Sequence, residues 1–428
     1  MTVAWSIPKK FFFSFVFIYL LFYIAPWTWL DFIPYVAEVT GLYHKVKDWM
    51  VQMANKHVFH VREVLVPLNG SGDTSWAWTD LWMMLSLSLI GASIWVLVEK
   101  GKTKYDKLDF GLTLFVRYYV AIVALGYGLI KVFPLQMSFP AESSLATPLG
   151  DLLPMRFSWF FIGYSDSYQI FSGLMETITG LLLLWRTTAT LGALMATGVF
   201  ANVVMLNLSY DIPVKLYSIH LFIMSVYLVM QERVRLIHFF FKNSIAEPSR
   251  IYDFDYADKK WKYTRWILKG LIIVSSVILP VRDNYNNLKS RNQAASQTII
   301  PNGHYELTDY IRNGVPVPFQ FTDTVIWRDI IIDGKRGSVN STDTVFAQRY
   351  HRGYFSFTVD SMENMFRMKK TQTDSIYFGI FKFQLPDSNS LELEGLYKSD
   401  TVKMKLTRMP RHFQLKEKQF HWLSEYNR

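Results

Sequence analysis

Residues 171–208 read FSGLMETITGLLLLWRTTATLGALMATGVFANVVMLNL. Only Glu176 and Arg186 carry charge in this stretch. At ~1.5 Å per helical residue, each apolar run on either side of Arg186-Thr187-Thr188 is long enough to cross most or all of ~30 Å of hydrocarbon. The break between them is too short for anything but a hairpin, so the stretch predicts two antiparallel spans, 168–186 and 188–208. Glu176 lies in the middle of the first. Gly173 and Gly180 flank it at i−3 and i+4 on one helix face. A face of small residues admits a second helix closely, so Glu176 is expected to point into a bundle rather than at lipid.

The rest of the 428-residue chain extends this pattern. Half the residues are hydrophobic, 17% are aromatic and 19% are charged, against ~25% charged in a typical soluble domain. Phe11–Leu30, Leu81–Val98 and Thr187–Leu208 contain no charge at all, which excludes a purely soluble protein. Seven spans are predicted: 11–30, 77–98, 110–132, 168–186, 188–208, 213–230 and 266–281. The N-terminal Lys9-Lys10 and apolar run lack a following small-x-small site, so the first span is read as uncleaved. With the N-terminus inside, the segments 1–10, 99–109, 185–187 and 231–265 hold fifteen Lys and Arg, among them Lys100, Lys102, Lys104 and Arg250. The segments 31–76, 133–167 and 209–212 hold five. Positive-inside bias therefore puts the N-terminus in the cytoplasm and the C-terminus outside. The net charge of +10 is read as topology and attraction to anionic lipid, with no nucleic-acid partner. Lys259-Lys260-Trp261-Lys262 fits a membrane-surface anchor. The absence of cysteine excludes disulfides, thiolate metal sites and a thiol nucleophile.

Between spans one and two, Val36, Val39, Leu42, Tyr43, Val46, Trp49, Met50 and Met53 recur at three-to-four spacing, which predicts an amphipathic surface helix. The Pro- and aromatic-rich loop 133–167 is expected to cover the outer mouth of the bundle. Residues 283–302 read as a polar linker. From 303 to 428 the period changes to two, in Tyr354–Val359, Ser375–Leu385 and Leu391–Glu394, with a hairpin expected around Ser399-Asp400. The fold class is thus a polytopic α-helical membrane bundle followed by an extracytoplasmic all-β domain, a small antiparallel sheet or barrel. The domain boundaries are 1–109 for two spans with their outer loop, 110–230 for a four-helix core, 231–282 for a cytoplasmic loop and the seventh span, 283–302 for the linker and 303–428 for the β domain.

Ionisable groups within spans are candidate functional residues by default. Lys131, Glu176, Asn202, Asn207, Asp211, Lys215 and His220 all fall in the outer half of the predicted bundle, and Arg117 alone sits toward the cytoplasm. Lysines near span ends also snorkel, and membrane asparagines more often join helices than bind ligands. Taken together, acid, amine and imidazole are expected to meet in one pocket open to the outside, fit to bind the head of a quinone or a proton-coupled anion. His57-x-x-His60 with Glu63 is better explained as a wet amphipathic face than as a metal site, and the tail histidines, His304, His351, His412 and His421, lack ligand spacing. No metal is expected.

Arg117, then GYGLIK (Gly126–Lys131), then FSGLMETITGLLLLWR (Phe171–Arg186) resemble the DoxX/DoxD-like integral membrane family, over roughly residues 110–230. The resemblance implies a bacterial inner-membrane, quinone-linked, oxidoreductase-associated protein that works with a redox partner. In that role Glu176, Lys131 and His220 are candidate catalytic residues, while Arg117, Asn202, Asn207, Asp211 and Lys215 line the cofactor site. A more distant similarity to the membrane domain of vitamin-K-dependent carboxylases implies a lysine base at Lys131. A non-enzymatic receptor or assembly factor gripping its partner with the β-rich tail is the remaining alternative.

Overall fold

The computed structural model describes residues 5–31, 34–99, 105–249, 259–295, 299–318, 320, 323–347, 350–417, 422, 423 and 425. Lys100, Lys102, Lys104, Arg250 and His421 lie outside the described residues. The chain divides into two compact units, one of residues 1–132 and 170–282, the other of 133–169 and 283–428.

The first unit is helical. Its elements are α1 (Ile7–Ile24), α2 (Pro34–Ala54), α3 (Ser75–Val98), α4 (Asp106–Val132), the greater part of α7 (Asp166–Leu184), α8 (Ala189–Ser209), α9 (Lys215–Gln231), α10 (Arg233–Phe240) and α11 (Lys259–Ile273). A π-helical turn, Val274–Ile278, leads from α11 into α12 (Leu279–Ala295). Each of the seven predicted spans is helical. Five helical stretches are long and apolar enough to cross a membrane: Ile7–Trp29, Ser75–Val98, Asp106–Val132, Ala189–Ser209 and Lys260–Gln293. They suggest a lipid environment for this region. α9 is apolar but shorter.

Contacts at the helix ends sort onto two faces. On one, the Trp5 ring stands 5.7 Å from that of Tyr105, Tyr105 donates to Glu99 at 2.8 Å, and Tyr227 and Gln231 donate to Asp109 at 3.2 and 3.3 Å. On the other, Asp73 in the α2–α3 connection accepts from the backbone N–H of Lys215 and Leu216 at 2.8 and 3.0 Å. Asp73 thereby satisfies amide groups that the first turn of α9 leaves open, at the positive end of its dipole. The core between the faces holds Leu112, Val116, Val120, Ala124, Leu183, Phe200 and Met224. The amphipathic reading of 36–53 matches α2. Its Val51 is fully buried, Lys47 pairs with Asp80 at 2.8 Å, and Val39, Leu42 and Trp49 remain exposed.

The second unit is built on an eight-stranded antiparallel barrel. The strands are β1 (Gly303–Arg312), β3 (Asp329–Asp333), β4 (Arg336–Asn340), β5 (Gly353–Asp360), β6 (Met365–Lys369), β7 (Gly379–Gln384), β8 (Ser390–Tyr397) and β9 (Asp400–Met409), and β2 (Val315–Pro316) extends β1 as a short hairpin. Pairing of β1 with β9, from His304↔Met409 to Arg312↔Val402, closes the sheet and removes its edges. Alternation sends every second residue inward, as in β7, where Gly379, Phe381 and Phe383 are buried and Ile380, Lys382 and Gln384 exposed. The interior is filled by side chains, with Trp327, Tyr397, Tyr305, Phe366 and Phe381 all but inaccessible. Small barrels of eight strands close just tightly enough for this. The expected hairpin near Ser399 is present. Tyr397 pairs with Asp400, which leaves Lys398-Ser399 as the turn, and Lys398 takes the left-handed φ of 56° that a tight hairpin requires.

One sequence expectation is corrected here. The polar stretch 283–302 is not irregular throughout, since α12 continues to Ala295; polarity alone does not stop a helix that lacks a breaker. Loop 133–167 clusters with the β unit. It carries α5 (Glu142–Leu145) and α6 (Pro154–Tyr164) and bonds to the barrel through Glu142 N–H to Asp333 at 3.2 Å and Ser143 to Ser338 at 2.8 Å.

Candidate functional site

Lys131 on the last turn of α4 and Glu176 in mid-α7 meet. The Lys131 Nζ donates to Glu176 Oε1 at 2.5 Å, with side chains only 10% and 4% exposed. Glycines make the approach possible. A Cβ on Gly173 would stand 2.7 Å from both the carbonyl oxygen of Gly128 and Lys131 Cβ, and one on Gly128 would stand 2.5 Å from Thr177 Oγ1. Gly180 lies equally tight against Ala121 and Leu125. The small-residue face read from the sequence therefore does receive a helix, and that helix is α4. The second carboxylate oxygen, Glu176 Oε2, and Thr177 Oγ1 are buried without a hydrogen-bond partner among the described residues. Tyr127, one turn back on α4, holds its ring 5.9 Å from Lys131 Nζ and is 40% exposed.

His220 does not join this pair. Its Nδ1 is 2.6 Å from the Leu216 carbonyl, four residues back on α9, and its Nε2 is 2.5 Å from the Tyr19 hydroxyl of α1. The carbonyl can only accept, so Nδ1 donates to it and Nε2 accepts from Tyr19. The Tyr23 ring stacks on the imidazole at 4.1 Å. The expected single chamber is thus two clusters, because Glu176 faces α4 while His220 faces α1. A row of rings runs between them. Tyr127 is 6.3 Å from Tyr217, Tyr217 neighbours Tyr119, and Tyr119 is 6.4 Å from Tyr23. None of these tyrosines was singled out from the sequence, where an aromatic at helical spacing is indistinguishable from core.

The remaining candidates disperse. Lys215 pairs with the exposed Asp211 at 2.7 Å and approaches Asp73 at 3.7 Å. Asn207 is buried, with Nδ2 3.5 Å from the Val214 carbonyl, and holds the α8–α9 turn. Asn202 lies on an exposed face of α8. Arg117 is buried on α4 with its guanidinium 5.0 Å from the Tyr118 ring. No group of His, Asp and Glu fit to hold a metal occurs among the described residues.

A second polar cluster, in the β unit, had no sequence signal because its members are far apart in the chain. The buried Arg352 guanidinium forks onto the Asp329 carboxylate, and its Nε donates to Ser338 Oγ at 2.8 Å. Ser338 in turn bonds Ser143, while His304 Nε2 lies 3.4 Å from Asp329. Burial lifts the Asp329 carboxyl, but His304 and Arg352 outweigh it and hold it below the usual carboxylate range.

The structure defines a class: a helical region with five candidate membrane spans joined to a filled, eight-stranded antiparallel β-barrel. The chain is 32% identical over 144 residues to "Uncharacterized protein YwoB" of Bacillus subtilis (strain 168), a match covering 33% of this chain and 87% of that protein. Over that third of its length it belongs to the YwoB family. No family model matches the chain, and no solved structure does.

Proposed function

We propose that this is a DoxX-like bacterial inner-membrane protein whose bundle binds the polar head of a quinol, or a similar small amphiphile, between α4 and α7 in a membrane redox process. The observation that carries the reading is Glu176 Oε2: a buried acceptor without a partner, beside a buried amine and under an exposed tyrosine. A quinol hydroxyl donates to such an oxygen, and the Tyr127 ring offers a surface for the quinol ring. The bundle crosses the membrane seven times in this reading. α8 has spanning length, and the connections before and after it, 185–188 and 210–214, are too short for α7 and α9 to do other than run back beside it. Four crossings then separate loop 133–167 from the barrel, an even number, consistent with their packing together. Charge bias puts that side outside and the N-terminus in the cytoplasm.

The test is organic extraction of the purified protein followed by absorbance of the extract. Quinone should co-purify at near-stoichiometric level, and Tyr127→Ala, a substitution at an exposed ring, should deplete it. A folded protein with no lipid-soluble redox molecule, whether purified from native membrane or incubated with added quinone, would sink the reading.

One observation favours a second reading, a receptor or assembly factor. The filled barrel leaves no interior for a ligand, but its outer wall carries a groove of about 520 Å³ lined by Met365, Ile380, Lys382, Glu394, Leu396 and Lys403. If residues 303–428 can be deleted without loss of bound quinone but with loss of a purified extracytoplasmic partner, the two roles reside in separate units. The lysine-base reading has the burial of Lys131 that it requires, but its amine is already engaged by Glu176.

A further inference from the structure

Three cations in the helical unit play no part in the site between α4 and α7. Lys269 is the one buried residue in the exposed run 260–270 of α11, with 8% of its surface accessible. Its ammonium lies 4.2 Å from the Trp185 ring, at the end of α7, and 5.7 Å from the ring of Trp266. Arg265 and the buried Arg117 are both within electrostatic reach of it. Among the described residues, no carboxylate lies within ion-pair distance of Lys269 Nζ and no acceptor takes a hydrogen bond from it.

Such an arrangement is costly as it stands. An ammonium has three N–H groups to satisfy, and ring faces offset only part of the lost hydration. Nearby cations of the same sign add repulsion, which grows as the dielectric falls. An anion placed among Lys269, Arg117 and Arg265 would reverse the sign of every term. The location says which anion. The site lies on the face of the bundle that holds the N-terminus of α1 and the basic start of α11. Trp266, Ile267, Leu268 and Leu271 beside it are each more than half exposed, an apolar strip on which acyl chains can lie. Indole rings at this level belong to the headgroup layer of a membrane.

We propose that Lys269, Arg117 and Arg265, framed by Trp185 and Trp266, bind the phosphate of an anionic phospholipid headgroup in the leaflet on the N-terminal side of the bundle. The phosphate oxygens accept from the ammonium and the guanidinium groups, and the acyl chains follow the exposed strip of α11. A basic recess between spanning helices at the cytoplasmic level is suited to such headgroups.

The experiment is native mass spectrometry of the full-length protein released from nanodiscs of phosphatidylglycerol or phosphatidylcholine, alongside thermal unfolding in neutral detergent with each lipid or with inorganic phosphate. Wild type should retain phosphatidylglycerol and be stabilised by it, and should retain no phosphatidylcholine. Lys269→Gln should cut retention about five-fold, the share of one cation at an anionic surface, and Lys269→Arg should restore it. Arg265→Gln, at an exposed position, provides the same reading in smaller degree if Lys269→Gln fails to fold. Equal retention of the two lipids, undiminished retention in both glutamine variants, or stabilisation by inorganic phosphate equal to that by phosphatidylglycerol would each overturn the proposal.

Discussion

Lys131 Nζ donates to Glu176 Oε1 at 2.5 Å across an α4–α7 contact so close that neither Gly128 nor Gly173 has room for a methyl group. The pair is buried, so each charge depends on the other. Glu176→Leu alone or Lys131→Met alone strands an uncompensated charge and should cost ~3–5 kcal/mol. The double substitution removes both charges and should recover most of that. Denaturant unfolding of the three variants in detergent checks this; full additivity of the two single losses would show that the groups are not coupled.

The glycine contact gives a paired comparison. Gly173→Ala puts a Cβ 2.7 Å from the backbone of α4, which cannot yield as a flexible side chain would. A loss of ~1–3 kcal/mol is expected, as for other over-packed contacts. Gly126→Ala, on the same helix as Gly128 but with nothing within 4 Å of its Cβ, should be neutral or stabilising by up to ~1 kcal/mol from helix propensity. Thermal unfolding of the two variants side by side is the measurement.

Tyr19 is the described donor to His220 Nε2, at 2.5 Å. Tyr19→Phe keeps the ring and leaves a buried nitrogen unsatisfied, at a cost of ~1–3 kcal/mol. The ring contacts of Tyr19 with Tyr23 and His220 should survive, so the loss belongs to the hydroxyl. Adding His220→Leu to Tyr19→Phe, which removes the orphaned acceptor, should show a total loss smaller than the sum of the single ones.

Acid should loosen the β unit through Asp329. Its carboxyl is held below the usual range when folded, so the unfolded chain binds the proton more readily. The sign follows: the contribution is fully present above ~pH 4, the ordinary carboxylate value, and is lost as pH falls through the lower folded value. Arg352→Met removes the forked partner and should destabilise the barrel at neutral pH, with a smaller acid-induced loss than in wild type, because the folded carboxyl rises toward its unfolded value. Melting of the β signal by circular dichroism between pH 7 and pH 3 separates the two; identical acid profiles would remove Asp329 from the account.

Much of this was legible in the chain. The free energy of placing a residue in hydrocarbon adds up along a segment, so apolar runs stand out, and the structure has five helical stretches long and apolar enough to cross a membrane where such runs were read. Alternation of period two marked β5, β7 and β8, because a barrel wall has one wet and one dry face. The glycines at i−3 and i+4 gave the facing of Glu176, since helical geometry fixes which residues share a side.

Partners were not legible. The face of Glu176 was evident, but not that Lys131, 45 residues earlier, would meet it there, nor that His220 would turn to Tyr19, 201 residues away. A helix's own period says which residues lie together and nothing about the neighbour they meet. That choice belongs to packing, to how α1, α4, α7 and α9 are rotated about their axes. The same holds for closure of the barrel through β1 and β9, for the Asp329–Arg352 cluster, and for loop 133–167. In each, the deciding contact is between residues far apart in the chain, and its energy exists only once both are in place.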